Sequence, residues 1–232
     1  MIKDKSVLAL IPARGGSKGI VRKNLRDVAG KPLIAWTIEQ AKQSKYIDRL
    51  ILSSDDQEII SVAKEWGCEV PFVRPDHLAQ DDSLTIDTII HAIDHLPNYD
   101  LIVLLQPTSP LRNAEDIDTC IEICLEKQAK ACVSVCEASK SPFWMFTLDQ
   151  EQKMKPLIPF ENEQTNRHNL PKAYVLNGAV YVSYTDWVYR NKSFFGDETV
   201  SYIMPAERSI DIDSEIDLRM VEWLLSQQPD AK

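Results

Sequence analysis

"DLIVLLQPTSPLRNAEDIDTCIEICLEKQAKACVSV", residues 100–135, decides the fold of this chain. An apolar run at 100–106 stops at a turn bracketed by Pro107 and Pro110. "NAED" at 113–116 then opens a segment whose apolar residues fall at three- and four-residue steps through 127, and a second apolar run follows at 130–135. The pattern reads strand, amphipathic helix, strand. Toward the amino terminus the same rhythm repeats. "SVLALI" (6–11), "DRLILSS" (48–54) and "EVPFV" (69–73) read as buried strands, and residues 31–44, 55–67 and 84–96 carry the helical period. "DD" at 55–56 is a helix start and Gly67 a helix stop. Alternation of this kind predicts an α/β fold: a Rossmann-like, mostly parallel sheet with helices on both faces. Ligands of such sheets bind outside the carboxyl ends of the strands, where the connecting loops gather.

The rhythm breaks after residue 137. Residues 138–172 are rich in proline, aromatic and polar residues without a period, and read as an excursion, an arm suited to self-association. A strand at 173–184, interrupted by Asn177-Gly178, a strand at 199–204 and a helix from about 214 to 227, capped by Asp213 or Ser214, complete the chain. Residues 1–232 read as a single domain. With 44% hydrophobic residues the chain can bury a core. A net charge of −9 argues against a general nucleic-acid binder. The run Val7–Ile11 is too short for a signal segment or a membrane span, and five cysteines fit reduced thiols, so a cytoplasmic location is expected.

Against that acidic background, "IPARGGSKGIVRKN" (11–24) concentrates Arg14, Lys18, Arg22 and Lys23 around three glycines, directly after the first strand. It is neither a P-loop, because Ser17-Lys18-Gly19 has the wrong order, nor a dinucleotide fingerprint, because position 14 is arginine. Its parts still suit a small polyanion. Gly15 and Gly16 allow close backbone approach, Ser17 adds a donor, and the cations can surround a triphosphate. Two other patterns carry less. Cys120/Cys124 and Cys132/Cys136 have spacings longer than structural zinc pairs favour and lie on a helix and a strand, where small thiols pack; His91 and His95 lack the intervening glutamate of a zinc helix.

"IPARGGSKGIVRKNL" closely resembles the signature of the acylneuraminate cytidylyltransferases, which activate sialic acid-like sugars with CTP. "LLQPTSPLR" (104–112), "LPKAYVLNGAVYV" (170–182) and "SIDIDSEIDL" (209–218) resemble three further blocks of that family in the expected order. The resemblance implies that Arg14, Gly16, Ser17, Lys23 and Asn24 hold the nucleotide, with Arg14 and Lys23 on its phosphates. Arg74, Ser83 and Thr85 match the segment that reads cytosine and ribose, although serine and threonine before a helix serve equally as caps. Gln106, Arg167, Asn177, Tyr181, Phe194 and Phe195 match sugar-side positions, with Arg167 facing the sugar carboxylate. Asp211 and Asp213 match a magnesium site. Two residues apart in an extended segment, they can face one cation, while Asp213 also suits a helix cap.

The expectation is therefore an enzyme in which the sugar's anomeric hydroxyl attacks the α-phosphorus of CTP, giving CMP-sugar and pyrophosphate, with Mg²⁺ as cofactor and a homodimer as the assembly. Asp211 is also the candidate to help deprotonate the hydroxyl. N-acetylneuraminate and a legionaminate-type sugar are equal candidates, since Trp144, Met145 and Phe146 would favour a less polar sugar if they line the pocket. Two other readings stay open: a nucleotide-sugar glycosyltransferase using "DID" as its metal motif, and a non-catalytic CTP-binding protein.

Overall fold

In the computed structural model, residues 2–159 and 170–227 are described. Six strands form one sheet in the order β10-β6-β9-β5-β1-β4. They are β1 (Val7–Pro12), β4 (Arg49–Ser53), β5 (Leu101–Leu104), β6 (Ala131–Glu137), β9 (Tyr174–Tyr184) and β10 (Thr199–Ile203). Two short pairs lie outside it, β2 (Asp27–Val28) with β3 (Lys31–Pro32), and β7 (Phe146–Leu148) with β8 (Met154–Pro156). The helices are α1 (Leu33–Gln43), α2 (Gln57–Glu65), α3 (Thr85–Asp94), α4 (Ala114–Glu126), α5 (Thr185–Asn191) and α6 (Glu215–Ser226).

The apolar runs of the central strands alternate between two faces, as period-two side chains must. Val7, Ala9 and Ile11 of β1 pack with Ile34 and Ile38 of α1, Ile59 of α2 and Ile117 and Ile121 of α4. Leu8 and Leu10 pack on the other face with Ile89 of α3 and Val188 of α5. A smaller third cluster joins Ile20 of the opening loop to Val28, Leu33, Leu111, Ile212 and Leu218. This cluster seats α6 beneath the loop and brings the end of the chain to the site.

β1 pairs in parallel with β4 and β5, and β6 with β10; β9 runs antiparallel between β5 and β6. The mostly parallel sheet thus carries one reversed strand at its centre. β9 is also continuous through Asn177-Gly178, where the sequence suggested an interruption. The register against β6 shifts between Val133 and Val135, and Gly178 takes a positive φ of 72°. Side chains patch the ladder there: Asn177 Oδ1 accepts from Ala179 N (3.2 Å) and from Ser134 Oγ (2.6 Å), while Ser134 Oγ accepts from Val180 N (2.8 Å).

"EVPFV" does not form a strand. Only an isolated bridge pairs Glu69 with Ile51, because Pro71 has no N–H to continue a ladder. The caps follow the expected chemistry. Asp56 caps α2, Asn113 with Asp116 forms a capping box at α4, and Ser214 rather than Asp213 caps α6, boxed with Asp217. The 138–172 excursion holds the β7–β8 hairpin, which projects Phe146, Leu148 and Met154 into solvent. Among the described residues, no helix is long and apolar enough to cross a membrane.

Candidate active site

β1, β4 and β5 end on the same side of the sheet, and the loops that leave them enclose a polar cleft of about 400 Å³. The opening loop supplies Arg14, Ser17, Lys23 and Asn24; the segment after β4 supplies Arg74, Ser83 and Thr85; Gln106 and Asp213 close the far side. Together with Lys18, these residues singled out in the sequence line one space, though they come from four separated segments.

Each wall has a local cause. Asn24 is buried and donates through Nδ2 to Arg14 O (3.1 Å), which holds the loop's turn closed. A Cβ on Gly15 would come within 2.7 Å of Asp56 Oδ2, and one on Gly19 within 2.3 Å of Asp213 O. These two glycines let the loop lie against α2 and against the 211–213 segment, whereas a Cβ on Gly16 would meet nothing within 4 Å. Gly16 is therefore open rather than packed, and it is not one of the cleft-lining residues. Lys23 joins the two ends of the chain, donating to Ile212 O (2.7 Å) and Asp213 Oδ1 (3.1 Å). Arg74 is buried, with its guanidinium bonded to Ser53 Oγ (3.1 Å) and Ser53 O. Burial pushes its pKa down to about 10, so it remains charged at neutral pH.

Neither Ser83 nor Thr85 acts as a cap. Ser83 Oγ donates to His77 O (2.9 Å), and Leu84 precedes the helix without a side-chain cap bond.

Every cation of the loop faces a carboxylate. Arg14 and Lys18 both reach Asp81 (3.0 and 2.8 Å), Arg22 is taken by Asp56 (2.7 Å) and Glu58, and Lys23 by Asp213. An acidic chain thus keeps a cationic loop by neutralising it locally. The Lys18 hydrogen bond holds the Asp81 carboxyl below its usual range. Arg22 serves the start of α2, whereas Arg14 and Lys18 line the cleft, so an anionic ligand must compete with Asp81 for them. Asp81→Asn should therefore tighten pyrophosphate binding about three- to tenfold by titration calorimetry, since each partly exposed pair is weak. Asp82→Asn, which changes net charge equally and touches neither cation, should leave the affinity near wild type. Equal or weaker pyrophosphate binding by Asp81→Asn would show that these pairs do not compete with the ligand. Asp81 escaped the sequence reading because "QDDS" has no period or motif; its only signal is acid within reach of a cationic loop.

The second half of the site lies beyond Gln106. A Cβ on Gly178 would stand 2.5 Å from Gln106 Oε1 and 3.5 Å from Asp211 Oδ2, so the bulge of β9 brings these two side chains together. Asp211 exposes surface overall, but its carboxylate turns inward to Gly178 and to the Thr108 hydroxyl. Loss of hydration is the main reason that its pKa is raised, and the Asp213 charge adds to it. Burial and the Asp211 carboxylate likewise raise the Tyr181 phenol. Phe194 is buried with its ring 5.4 Å from that of Tyr181, and Phe195 stands 51% exposed with its ring at 6.4 Å. Tyr181, Phe194 and Phe195 therefore form an aromatic group beside Asp211 but do not line the nucleotide-sized cleft.

Asn177 lies beneath the bulge of β9. It is buried, with its amide nitrogen donating to Ser209 Oγ (2.9 Å) and its oxygen engaged as described above, so it shapes the bulge from inside. Arg167 lies outside the described residues. Trp144, Met145 and Phe146 belong to the excursion, and Trp144 borders a separate recess with Glu137 and Lys172. Cys120 and Cys124 are buried on α4, with thiols directed at the main-chain oxygens of Cys132 and Ala129; His91 and His95 stack on each other at 4.1 Å.

A polar cleft lined by cations, of which Arg74 is buried, and bordered by Asp213 with Asp211 beyond it, suits a phosphorylated ligand next to a second, hydroxyl-bearing one. The known proteins that the chain is similar to agree. The CMP-N,N'-diacetyllegionaminic acid synthase of Legionella pneumophila is 36% identical over 230 residues, covering 97% of this chain and 98% of the relative. The N-acylneuraminate cytidylyltransferase of Escherichia coli is 31% identical over 214 residues, covering 92% of this chain but 51% of that longer protein. In fold, the chain is similar to CMP:2-keto-3-deoxy-manno-octonic acid synthetase complexed with CTP, at a TM-score of 0.72 and 18% identity, covering 96% of this chain and 99% of that one. The cytidylyltransferase family model matches residues 8–205, and with these relatives along nearly its whole length the chain belongs to the cytidylyltransferase family.

Proposed function

We propose that this enzyme joins CTP to a nonulosonic, sialic acid-like sugar, releasing pyrophosphate. The observation that carries the reading is the bond from Lys23 to the Ile212–Asp213 segment, which holds the cationic loop against the segment that carries the two aspartates. The two relatives named above bear the names of a diacetyllegionaminic acid synthase and an N-acylneuraminate cytidylyltransferase, and these names support the substrate class.

Arg14, Ser17, Lys23 and Asn24, with the open backbone at Gly16, receive the triphosphate. Arg74, Ser83 and Thr85 receive the nucleoside. Gln106, Tyr181, Phe194 and Phe195 bound the sugar, with Asn177 supporting the bulge beneath them and Arg167 meeting the sugar's carboxylate. Attack of the anomeric hydroxyl on the α-phosphorus forms the new O–P bond as the bond to the pyrophosphate oxygen breaks. Negative charge builds on the departing pyrophosphate, and the fixed cations of the loop stabilise it without any protein nucleophile. Asp211, with its raised affinity for a proton, is placed to accept the hydroxyl proton.

Asp211 and Asp213 are the residues that would hold magnesium. They fit it: both are hard oxygen donors, and the Asp213 charge adds to the need of Asp211 for a counter-charge. When bound, the metal supplies charge neutralisation at the substrate's phosphate oxygens.

The enzyme acts as a homodimer in this proposal. Phe146, Leu148 and Met154 of the hairpin, with Tyr174, Val175 and Leu176 at the start of β9, leave much apolar surface in water, which monomers seldom do. Sedimentation of the same preparation tests the assembly.

The deciding assay incubates the protein with CTP, Mg²⁺ and, in turn, N-acetylneuraminate, N,N'-diacetyllegionaminate and Kdo, without any acceptor glycan. Pyrophosphate release with at least one nonulosonic acid is expected. No pyrophosphate from CTP, but release of CMP when a preformed CMP-sugar and an acceptor glycan are supplied, would identify a glycosyltransferase, and CTP binding with neither release would identify a binding protein.

A further inference from the structure

Among the described residues, Arg112 is the largest of the fully buried side chains, 1% exposed, at the end of the turn that carries Gln106. Its Nη1 donates to the main-chain oxygens of Gln106 (3.1 Å) and Ala179 (2.8 Å), and its Nη2 donates to Thr37 Oγ1 (2.7 Å). Nε has no hydrogen-bond partner among the described residues. No carboxylate there forms an ion pair with Arg112. Asp116 acts on it only through space, because its oxygens are taken by Arg208 (2.7 Å) and Tyr202 (2.8 Å). Burial pushes the guanidinium down to about 10, which leaves it charged at neutral pH.

A buried cation without a counter-ion is costly, and an apolar side chain of similar volume would pack more cheaply. Packing alone therefore does not account for this arginine. Its acceptors do suggest a purpose. Gln106 O and Ala179 O flank the place where Gln106 Oε1 and Asp211 Oδ2 converge on Gly178, and Thr37 ties both to α1. A fixed charge in a dry interior is also screened far less than one at the surface.

We propose that Arg112 is a positioning residue for the acid-sugar end of the cleft: it clamps the Gln106 turn to the β9 bulge and places a positive charge without a direct ion pair behind the floor on which the anionic sugar rests. This inference rests on the reading of the cleft as a CTP and acid-sugar site.

The test compares Arg112→Met, which keeps volume and removes charge, with Arg112→Lys, which keeps charge and loses the fork. For Arg112→Met the KM of the sugar acid should rise about tenfold or more, while the KM of CTP changes less than about threefold. Arg112→Lys should recover part of that loss. If Arg112→Met does not accumulate as folded protein, Arg112→Lys carries the test alone. A sugar KM raised at least about threefold at constant CTP KM supports the role, and an unchanged sugar KM overturns it. Equal rises in both KM values alongside a fall in Tm, with lysine no better than methionine, would reduce Arg112 to a structural part. A wild-type enzyme that binds CTP but turns over none of the acids overturns the functional reading and this inference with it. Wild-type turnover with unaltered sugar KM in the variants overturns only the role of Arg112.

Discussion

Replacing Asp211 by asparagine is expected to abolish turnover, lowering kcat by about 10³-fold or more, while CTP binds within about threefold of wild type. Asparagine is nearly isosteric and can still accept from Thr108, so the 211–213 segment keeps its place against Gly19. What disappears is the charge and the proton acceptor beside Gln106. Stability separates this loss from misfolding. The Asp211 pKa is raised in the folded protein, so the fold favours the protonated acid, and ionisation costs stability once pH rises through the unfolded value. At neutral pH the uncharged asparagine removes that cost, and Tm should hold or rise. A kcat within about threefold of wild type at saturating Mg²⁺ would remove Asp211 from the chemistry.

Gly178→Ala should disable the sugar half of the site. The position has a φ of +72°, where an alanine costs about 1 kcal/mol in backbone strain alone. The new Cβ would also stand 2.5 Å from Gln106 Oε1, so Gln106 must leave its place beside Asp211. The kcat/KM for the sugar acid is expected to fall about 100-fold, with the Kd of CTP within about threefold, because the cations proposed to hold phosphate lie on the other side of the cleft. If calorimetry shows CTP binding falling as steeply as sugar turnover, the two halves of the site are not separable in this way.

These two residues also show how far the sequence could be read. The strands at 6–11, 48–54, 100–106 and 130–135 were legible because each is apolar on both faces, a pattern that only a sheet covered on both sides rewards. The helices were legible from their period and their caps, and the cationic loop from its contrast with an acidic chain. "EVPFV" misled because apolar content alone does not weigh the missing N–H of Pro71. Asn177 shows a different gap: its amide oxygen accepts from Ala179 N and Ser134 Oγ at the bulge beside Gly178, contacts that only the folded chain sets.

By itself, then, the sequence determined the layered α/β plan and the chemical kind of ligand, since periodicity and residue type are local properties that every part of the chain carries. Tertiary structure decided the pairings: Asp81 against Arg14 and Lys18, Gly19 against the main chain of Asp213, Gln106 and Asp211 across Gly178, and Arg112 beneath them. Such contacts join segments far apart in the chain, and they exist only where sheet order and the bulge in β9 set the distances. No one-dimensional pattern encodes which distant carboxylate a cation will meet.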